Sequence, residues 1–174
     1  MATIRRGLTL TLRPLPLAEA RLMLAGQPTD AMRRTWHPEY PLADTMSALG
    51  LVIGAYEAMD GPLVQQPAWW ISQIVLDGRV VGDIGFHGPP GDRRPCRVEI
   101  GYCVVPACRG QGVASQACAL IIDQAWTLGA EVIVADTEPD NLASQQVLLG
   151  NGFRSAGGPT FRIDRPLRKV APGT

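Results

Sequence analysis

The clearest chemical signal in the sequence is a glycine-rich loop, Arg109-Gly110-Gln111-Gly112-Val113-Ala114-Ser115, between a β-rich segment and an apolar-periodic helix. Backbone N–H groups in such a loop are not shielded by side chains, and the N-terminus of the helix carries a partial positive charge. A Cβ at Gly110 or Gly112 would hold a phosphate away from these N–H groups, although Gly110 could equally relieve a tight turn. The loop therefore predicts an anion site for the phosphates of a cofactor.

Two interpretations of this loop compete. The first is a dinucleotide fingerprint, G-x-G-x-x-G, with Asp136 as the acid that binds the ribose. Against it, Ser115 replaces the third glycine, the glycines lie several residues beyond the strand, and the chain is too short for a second mononucleotide half. These departures disfavour a nicotinamide-dependent oxidoreductase. The second pattern is [Gln/Arg]-x-x-Gly-x-[Gly/Ala], which Arg109, Gly112 and Ala114 satisfy.

Through this second pattern the chain resembles the GNAT (Gcn5-related N-acetyltransferase) superfamily. Within it, the ribosomal-protein Nα-acetyltransferase branch is the most similar. The branch resemblance rests on Glu99-Ile100-Gly101-Tyr102 before the loop and on Asp140-Asn141-x-x-Ser144 and Asn151-Gly152-Phe153 after it. The motifs follow the order of the family over nearly the whole chain. The resemblance implies an acetyl-CoA-dependent N-acetyltransferase, with acetyl-CoA as co-substrate.

The resemblance also implies where acetyl-CoA binds. In GNAT proteins the fourth strand carries a β-bulge and splays away from the fifth, and the cofactor lies between them. The backbone of Cys103 and Val104 would then bond the pantetheine arm, and an N–H near Val104 would polarise the thioester. Asn141 would either contact the cofactor or cap its helix. The pyrophosphate would be held by the loop residues Arg109, Gly110, Gln111, Gly112, Val113, Ala114 and Ser115.

Acetyl transfer to an amine needs a neutral nitrogen and a proton for the departing thiolate. Strand alternation places Glu99, Gly101 and Cys103 on one face, so Glu99 is the candidate base, directly or through water. An ion pair with an arginine is its competing role. Ser144 is the candidate acid because the family places a hydroxyl at this motif position, with helix capping as the alternative. Many family members use a tyrosine nearby, where this chain has Phe153.

The acceptor is specified less closely. A predicted loop over 29–41 contains Trp36, His37 and Tyr40, and Trp70 begins a predicted hairpin. These residues are candidate walls for an apolar or aromatic acceptor, although packing is the commoner role of aromatic side chains. The sequence thus predicts direct transfer, in a ternary complex, to a primary amine of a small molecule or a polypeptide N-terminus. The alternative is a non-catalytic acyl-CoA-binding module.

Hydrophobic periodicity predicts the elements that position these residues. Helical patterns cover 17–24, 44–59, 113–128 and 141–149. Strand patterns cover 8–12, 70–76, 79–87, 98–105, 131–136, 153–156 and 160–163, with Asp77-Gly78 as a hairpin turn. We expect one α/β, GNAT-like domain over 1–165 and a disordered tail over 166–174. Its mixed, mostly antiparallel sheet is expected to splay between strands 4 and 5, with about four flanking helices.

Composition argues against several classes of function. Sixteen basic and sixteen acidic residues cancel, so there is no basic field for nucleic acid or anionic lipid. No apolar run approaches the roughly 20 residues that span a bilayer. The four cysteines show no C-x-x-C spacing and the two histidines are far apart, which indicates buried thiols rather than a metal site. We expect a cytoplasmic protein without metal, nucleic-acid or membrane partners, and leave a homodimer open.

Overall fold

The computed structural model describes residues 9–57, 69–90 and 94–166. Its strands are β1 (Leu10–Pro14), β2 (Ile71–Leu76), β3 (Arg79–Phe86), β4 (Arg97–Val104), β5 (Val132–Asp136), β6 (Arg154–Ser155) and β7 (Thr160–Asp164). Its helices are α1 (Leu17–Leu24), α2 (Asp30–Thr35), α3 (Ala43–Glu57), α4 (Val113–Thr127) and α5 (Leu142–Gly150), with a 3-10 turn at Pro106–Cys108. The strands form one mixed sheet in the order β1-β2-β3-β4-β5-β7-β6, which confirms the predicted α/β fold.

The half of the sheet formed by β1 to β4 is antiparallel, and local sequence explains its central hairpin. Asp77 and Gly78 have φ angles of 48° and 78°, the left-handed conformations that a type I′ turn requires. This turn joins β2 to β3, and β3 then pairs with β4 so that Gly85 lies opposite Gly101. The antiparallel meander predicted from the sequence is therefore confirmed.

The parallel pair β4 and β5 separates after a short stretch. Pairing covers Arg97 to Glu99 of β4 and Val132 to Val134 of β5, although both strands continue further. β5 stays paired with β7 along its whole length, from Val132 to Asp136, and so it diverges from β4. The predicted splay is confirmed, but without the implied bulge, because β3 and β4 keep one register from Gly82–Val104 to Phe86–Ile100.

Two expectations about the helices need correction. The segment predicted as a loop, 29–41, contains α2, whose N-cap Thr29 accepts a hydrogen bond from the Met32 N–H at 3.3 Å. A six-residue helix is too short to show a hydrophobic period, so five α-helices replace about four. α3 begins at Ala43, with Asp44 in its first turn. The predicted end of this helix beyond 57, and the predicted tail from 167 onwards, lie outside the described residues.

The core fixes β4 within the sheet. The largest fully buried side chains include Leu49 of α3, Ile84 and Phe86 of β3, Ile100 of β4 and Ile121 of α4. Burying each of these contributes roughly 1.5–3 kcal/mol. β4 is therefore anchored in the core through Ile100, and its edge beyond Glu99 is not paired with β5. In the described ranges, no helix is both long and apolar enough to cross a membrane.

Candidate functional site

Two clefts meet at β4. The β4–β5 cleft lies between the splayed strands and is lined by Ile100, Gly101, Tyr102, Ala135, Asp136, Thr137, Glu138, Asn141, Ser144, Leu148 and Pro159. The α3 cleft lies between α3 and strands β2 to β4 and is lined by Asp44, Ala48, Val52, Ile71, Asp83, Gly85, Phe86, His87, Gly101, Tyr102 and Cys103. Gly101 and Tyr102 belong to both. The two clefts are therefore adjacent at these residues.

The open edge of β4 presents main-chain groups to the β4–β5 cleft. The Val105 N–H donates to the Val81 carbonyl at 2.8 Å, and the Glu99 carbonyl accepts from the His87 N–H at 3.0 Å. Odd-numbered residues of β4 thus direct their main chain towards β3, and even-numbered ones direct theirs towards the cleft. Val104 therefore suits the expected pantetheine contact, whereas the main chain of Cys103 faces β3. The Val104 carbonyl accepts from Arg109 Nε at 2.8 Å.

The glycine-rich loop holds both of its glycines in the left-handed backbone conformation. Gly110 and Gly112 have φ angles of 69° and 81°, which favour glycine. Gly112 is the N-cap of α4, and its carbonyl accepts the N–H of Gln116 at 3.0 Å. The first helical N–H groups have no carbonyl one turn earlier in the helix to bond. These belong to Val113, Ala114 and Ser115.

Two polar side chains of the same loop are engaged within the protein. Gln111 donates from Nε2 to the Ala107 carbonyl at 3.0 Å, so it folds back onto the 3-10 turn. The Ser115 hydroxyl accepts from Nδ2 of Asn151 at 3.3 Å, which joins α4 to the end of α5. The loop therefore offers mainly backbone donors, and phosphate binding by its residues stays a prediction.

A histidine that the sequence analysis did not select is paired with Glu99. His87 Nδ1 lies 2.9 Å from Glu99 Oε1, and the two side chains are 52% and 38% exposed. Because an ionised carboxylate only accepts hydrogen bonds, we assign the proton to Nδ1, which leaves Nε2 as an acceptor. Nε2 lies 2.7 Å from the position that a Cβ on Gly101 would occupy. The imidazole therefore covers the glycine at which the two clefts meet.

A second pair joins β4 to α5. The Tyr102 hydroxyl lies 2.8 Å from Ser144 Oγ and 3.2 Å from the Ser144 carbonyl. Burial raises the pKa of Tyr102 to about 12, against the hydrogen bond to Ser144, which lowers it. The phenol is therefore protonated at neutral pH. Asn141 caps α5 by accepting the Ser144 N–H at 3.1 Å, and the Ser144 hydroxyl bonds the Tyr102 hydroxyl instead of capping the helix.

A buried carboxyl lies at the other end of the α3 cleft. Asp83 accepts hydrogen bonds from the Thr45 hydroxyl and from the Cys103 thiol, the latter at 3.4 Å. Burial raises the pKa of Asp83 to about 6, with the Thr45 and Cys103 hydrogen bonds opposing it. Asp44 adds a second carboxyl to the lining. The α3 cleft thus carries two carboxyl groups that the sequence analysis did not place there.

The shifted pKa of Asp83 makes the stability of the protein depend on pH. Its folded-state pKa, about 6, lies above the ordinary value of 3.8, so the folded protein binds the extra proton and loses stability as pH rises between those values. We expect the free energy of unfolding of Asp83→Asn, relative to that of the wild type, to rise by up to about 3 kcal/mol between pH 4 and pH 7. Urea unfolding at several pH values measures this, and a difference that does not change with pH would contradict it.

The aromatic residues expected to wall the acceptor site belong to the core. Trp36, Tyr40 and Trp70 are 6%, 5% and 4% exposed, and none lines either of the two clefts. Trp36 and Tyr40 pack edge to face with ring centroids 5.3 Å apart, and the His37 N–H donates to the Val80 carbonyl at 2.9 Å. The expectation is therefore wrong for these aromatics: Trp36 and Tyr40 are buried because the segment after α2 docks onto β3, and Trp70 is buried directly before β2.

His37 is also separate from the two clefts. Its side chain is 23% exposed, and its Nδ1 accepts the Glu39 N–H at 3.2 Å. It is part of neither cleft lining. Among the described residues, no cluster of three or more His, Cys, Asp or Glu side chains is placed to hold a metal ion.

Comparison with known proteins identifies the family. The model of the acetyltransferase (GNAT) domain matches residues 9–154, while no curated protein gives a significant sequence match. RimJ of Mycobacterium smegmatis, solved with CoA-disulfide, is 24% identical over 89% of this chain and 81% of that chain, with a TM-score of 0.57. YncA of Salmonella typhimurium, solved with acetyl-CoA, is 22% identical over 94% and 98%, with a TM-score of 0.57.

A third structure comes from the branch that the sequence resembles. The ribosomal-protein-S5-alanine acetyltransferase of Vibrio fischeri is 16% identical over 89% of this chain and 92% of that chain, with a TM-score of 0.60. At such identities the structures show a shared fold, and the family model, which covers most of the chain, shows membership. The predicted family is confirmed: the chain belongs to the GNAT acetyltransferases, which use acetyl-CoA as co-substrate.

Proposed function

We propose that this protein transfers the acetyl group of acetyl-CoA directly to a primary amine while both substrates are bound. The observation that carries the proposal is the meeting of the β4–β5 cleft and the α3 cleft at Gly101 and Tyr102. A covalent acetyl-enzyme is not needed when two clefts hold donor and acceptor together. Cys103, the thiol in the α3 cleft, is a poor nucleophile because burial raises its pKa to about 12.

The donor is proposed to lie along the open edge of β4. Tyr102 and Val104 direct main-chain groups to this edge, and the β4–β5 cleft beside it encloses about 430 Å³. The N–H groups at the start of α4 face the phosphates, and Arg109 borders them. When bound, acetyl-CoA supplies an activated thioester; the protein's part is to orient it at Gly101.

The backbone at Gly112 is expected to control donor affinity. Alanine at φ 81° is strained by roughly 1–2 kcal/mol, and relief of that strain would turn the loop N–H groups away from the phosphates. We expect Gly112→Ala to weaken acetyl-CoA binding about tenfold, measured by titration calorimetry. Gly129→Ala is the matched control, because Gly129 follows α4 at φ 96° with nothing within 4 Å of a Cβ. Equal losses of affinity in the two variants would contradict the assignment.

The acceptor is proposed to enter the α3 cleft as an ammonium group. The cleft encloses about 240 Å³ and carries Asp44 and Asp83, so it fits the amine-bearing end of a molecule rather than a whole large ligand. A small cationic amine and a polypeptide N-terminus both have this chemistry. The Vibrio fischeri protein of similar fold is named for an alanine of a ribosomal protein, which supports including N-terminal peptides among the acceptors.

The two side-chain pairs are proposed to handle the protons. The acceptor loses its proton on the side of His87 and Glu99, which lie 2.9 Å apart. The thiolate gains its proton from the Tyr102–Ser144 pair, whose hydroxyls lie 2.8 Å apart. The base and the acid thus lie at opposite sides of the junction between the clefts, as direct transfer requires.

The proposal is tested by binding and then by turnover. In a thermal-shift titration, acetyl-CoA and CoA are expected to raise the Tm, since a ligand that binds only the folded state stabilises it, whereas NAD and ATP leave it unchanged. A panel of amines and N-terminal peptides is then assayed for free thiol. Binding without acetylation of any amine would favour the non-catalytic acyl-CoA-binding module, and a response to NAD alone would overturn the assignment.

A further inference from the structure

The strand face beneath α3 has a gap between two polar pairs. Asp83 lies opposite Cys103, and Gly85 lies opposite Gly101. The next pair along the strands is His87 with Glu99, joined through main chain and side chain. Successive pairs on one face are about 7 Å apart along a strand. Gly85 and Gly101 both line the α3 cleft, together with the imidazole that covers Gly101 and the buried carboxyl of Asp83.

We propose that His87 is the general base of the reaction, and that Glu99 is a positioning residue that acts through it. The inference rests on the proposed function, since it concerns the proton of the acceptor amine. His87 lines the α3 cleft, whereas Glu99 lines neither the α3 cleft nor the β4–β5 cleft. The group that reaches the acceptor is therefore the imidazole.

Hydrogen bonding sets the imidazole up for this role. The carboxylate of Glu99 accepts from Nδ1 at 2.9 Å, which directs the lone pair of Nε2 away from Glu99 and towards Gly101. Nε2 is 2.7 Å from the place of a Cβ at Gly101, so the absence of a side chain there is what lets the ring occupy the junction. After it takes a proton, the imidazolium is stabilised by the facing carboxylate.

The proton and electron balance of the step is complete. An ammonium acceptor first gives one proton to Nε2 and becomes a nucleophilic amine. The lone pair of the amine nitrogen forms the new N–C bond. The C–S bond then breaks, and the electron pair of that bond stays on sulfur. Sulfur receives a proton from the Tyr102–Ser144 pair, which is replaced by the second proton lost from nitrogen. His87, whose side chain is 52% exposed, returns its proton to water.

A pH profile must separate His87 from its titratable neighbours. Around the α3 cleft these are Glu99, Tyr102 and Cys103 of β4, Asp83 of β3 and Asp44 of α3. Asp83, with a pKa raised to about 6 by burial, titrates in the range where histidine usually does. Tyr102 and Cys103 each have a pKa raised by burial to about 12, outside that range. Asp83→Asn is therefore the necessary companion variant.

The test compares His87→Gln with His37→Gln, the chain's other histidine, in thiol-release assays on an amine that the wild type acetylates. Gln at 87 keeps an N–H for Glu99 but has no basic nitrogen. We expect kcat to fall about 10²-fold, KM for acetyl-CoA to stay within about twofold, and the acid limb of the pH profile to disappear. His37→Gln is expected to keep the wild-type kcat and the acid limb of the pH profile. Added imidazole is expected to restore part of the kcat of His87→Ala.

The outcomes distinguish the role of His87 from the proposed acetyl transfer. An active wild type with an equally active His87→Gln variant overturns the role of His87 and leaves the proposed function standing. Loss of the acid limb in Asp83→Asn, with the limb retained in His87→Gln, would assign the titration to Asp83 and also overturn it. A wild type that binds acetyl-CoA and acetylates no amine would overturn the proposed function and this inference together.

Discussion

The substitution Gly101→Leu is expected to abolish acetyl transfer, lowering kcat/KM by about 10³-fold or more, in a protein that remains folded. Gly101 lines both clefts, so a branched side chain there would fill the place where donor and acceptor meet. It would also displace the ring of His87, whose Nε2 lies 2.7 Å from the Cβ position. Substrate contact and the base are lost together.

The fold is expected to tolerate this change. The three atoms nearest to a Cβ at Gly101 would all belong to the His87 ring, at 2.7, 3.5 and 3.7 Å. That ring ends a half-exposed side chain and can swing outwards. Gly82 is the contrasting case, because its Cβ would lie 2.2 Å from the carbonyl oxygen of Cys103. Alanine at 82 is therefore expected to destabilise the sheet itself.

A graded series distinguishes blockage from unfolding. Gly101→Ala moves mainly His87, so its loss of kcat should resemble that of His87→Gln, whereas Gly101→Leu adds a loss of binding in both clefts. Gly50→Ala serves as a control because Gly50 lies exposed on α3 with nothing within 4 Å of its Cβ. Tm and steady-state kinetics are measured for each. A folded Gly101→Leu protein within tenfold of wild-type activity would show that the clefts do not meet as substrates require.

Local patterns in the sequence were sufficient to predict several turns and helix ends. The Asp77-Gly78 turn, the glycine loop before α4 and the Asn141 cap of α5 each depend on a few neighbouring residues. Such features are fixed by backbone conformation and can be predicted without the rest of the chain. The parallel strand β5 was likewise indicated by its nearly continuous apolar run.

Side-chain partners that come from distant segments could not be predicted in this way. His87 meets Glu99 only because β3 and β4 adopt one register, and in the sequence these strands are separated by the long segment 87–96. Tyr102 contacts Ser144, which lies 42 positions later in the sequence, only because α5 packs beside β4. For Trp36 and Tyr40 the sequence predicted a contact with the acceptor that the structure does not show. Aromatic side chains are compatible with a binding wall, but the docking of their segment onto β3 buries both of them.

The hydroxyls of Tyr102 and Ser144 are expected to act as one acid. With their oxygens 2.8 Å apart, a proton leaving one can be replaced from the other, so removing either breaks the same relay. We expect Tyr102→Phe and Ser144→Ala each to lower kcat about 10³-fold, and the double variant to lose little more, because residues that act as a unit are not additive. Thiol release at saturating substrates measures all four proteins.

Two further observations separate an acid from a merely structural pair. An acetyl thioester whose thiol is strongly acidic needs no proton on departure, so it should restore most of the rate of Tyr102→Phe and Ser144→Ala but not that of His87→Gln. Because burial raises the pKa of Tyr102 to about 12, the phenol keeps its proton as pH rises, and kcat should show no alkaline decline below about pH 10. Additive losses, or no rescue by the acidic thiol, would mean that the pair only joins α5 to β4, and the thiolate would then take its proton from water in the β4–β5 cleft.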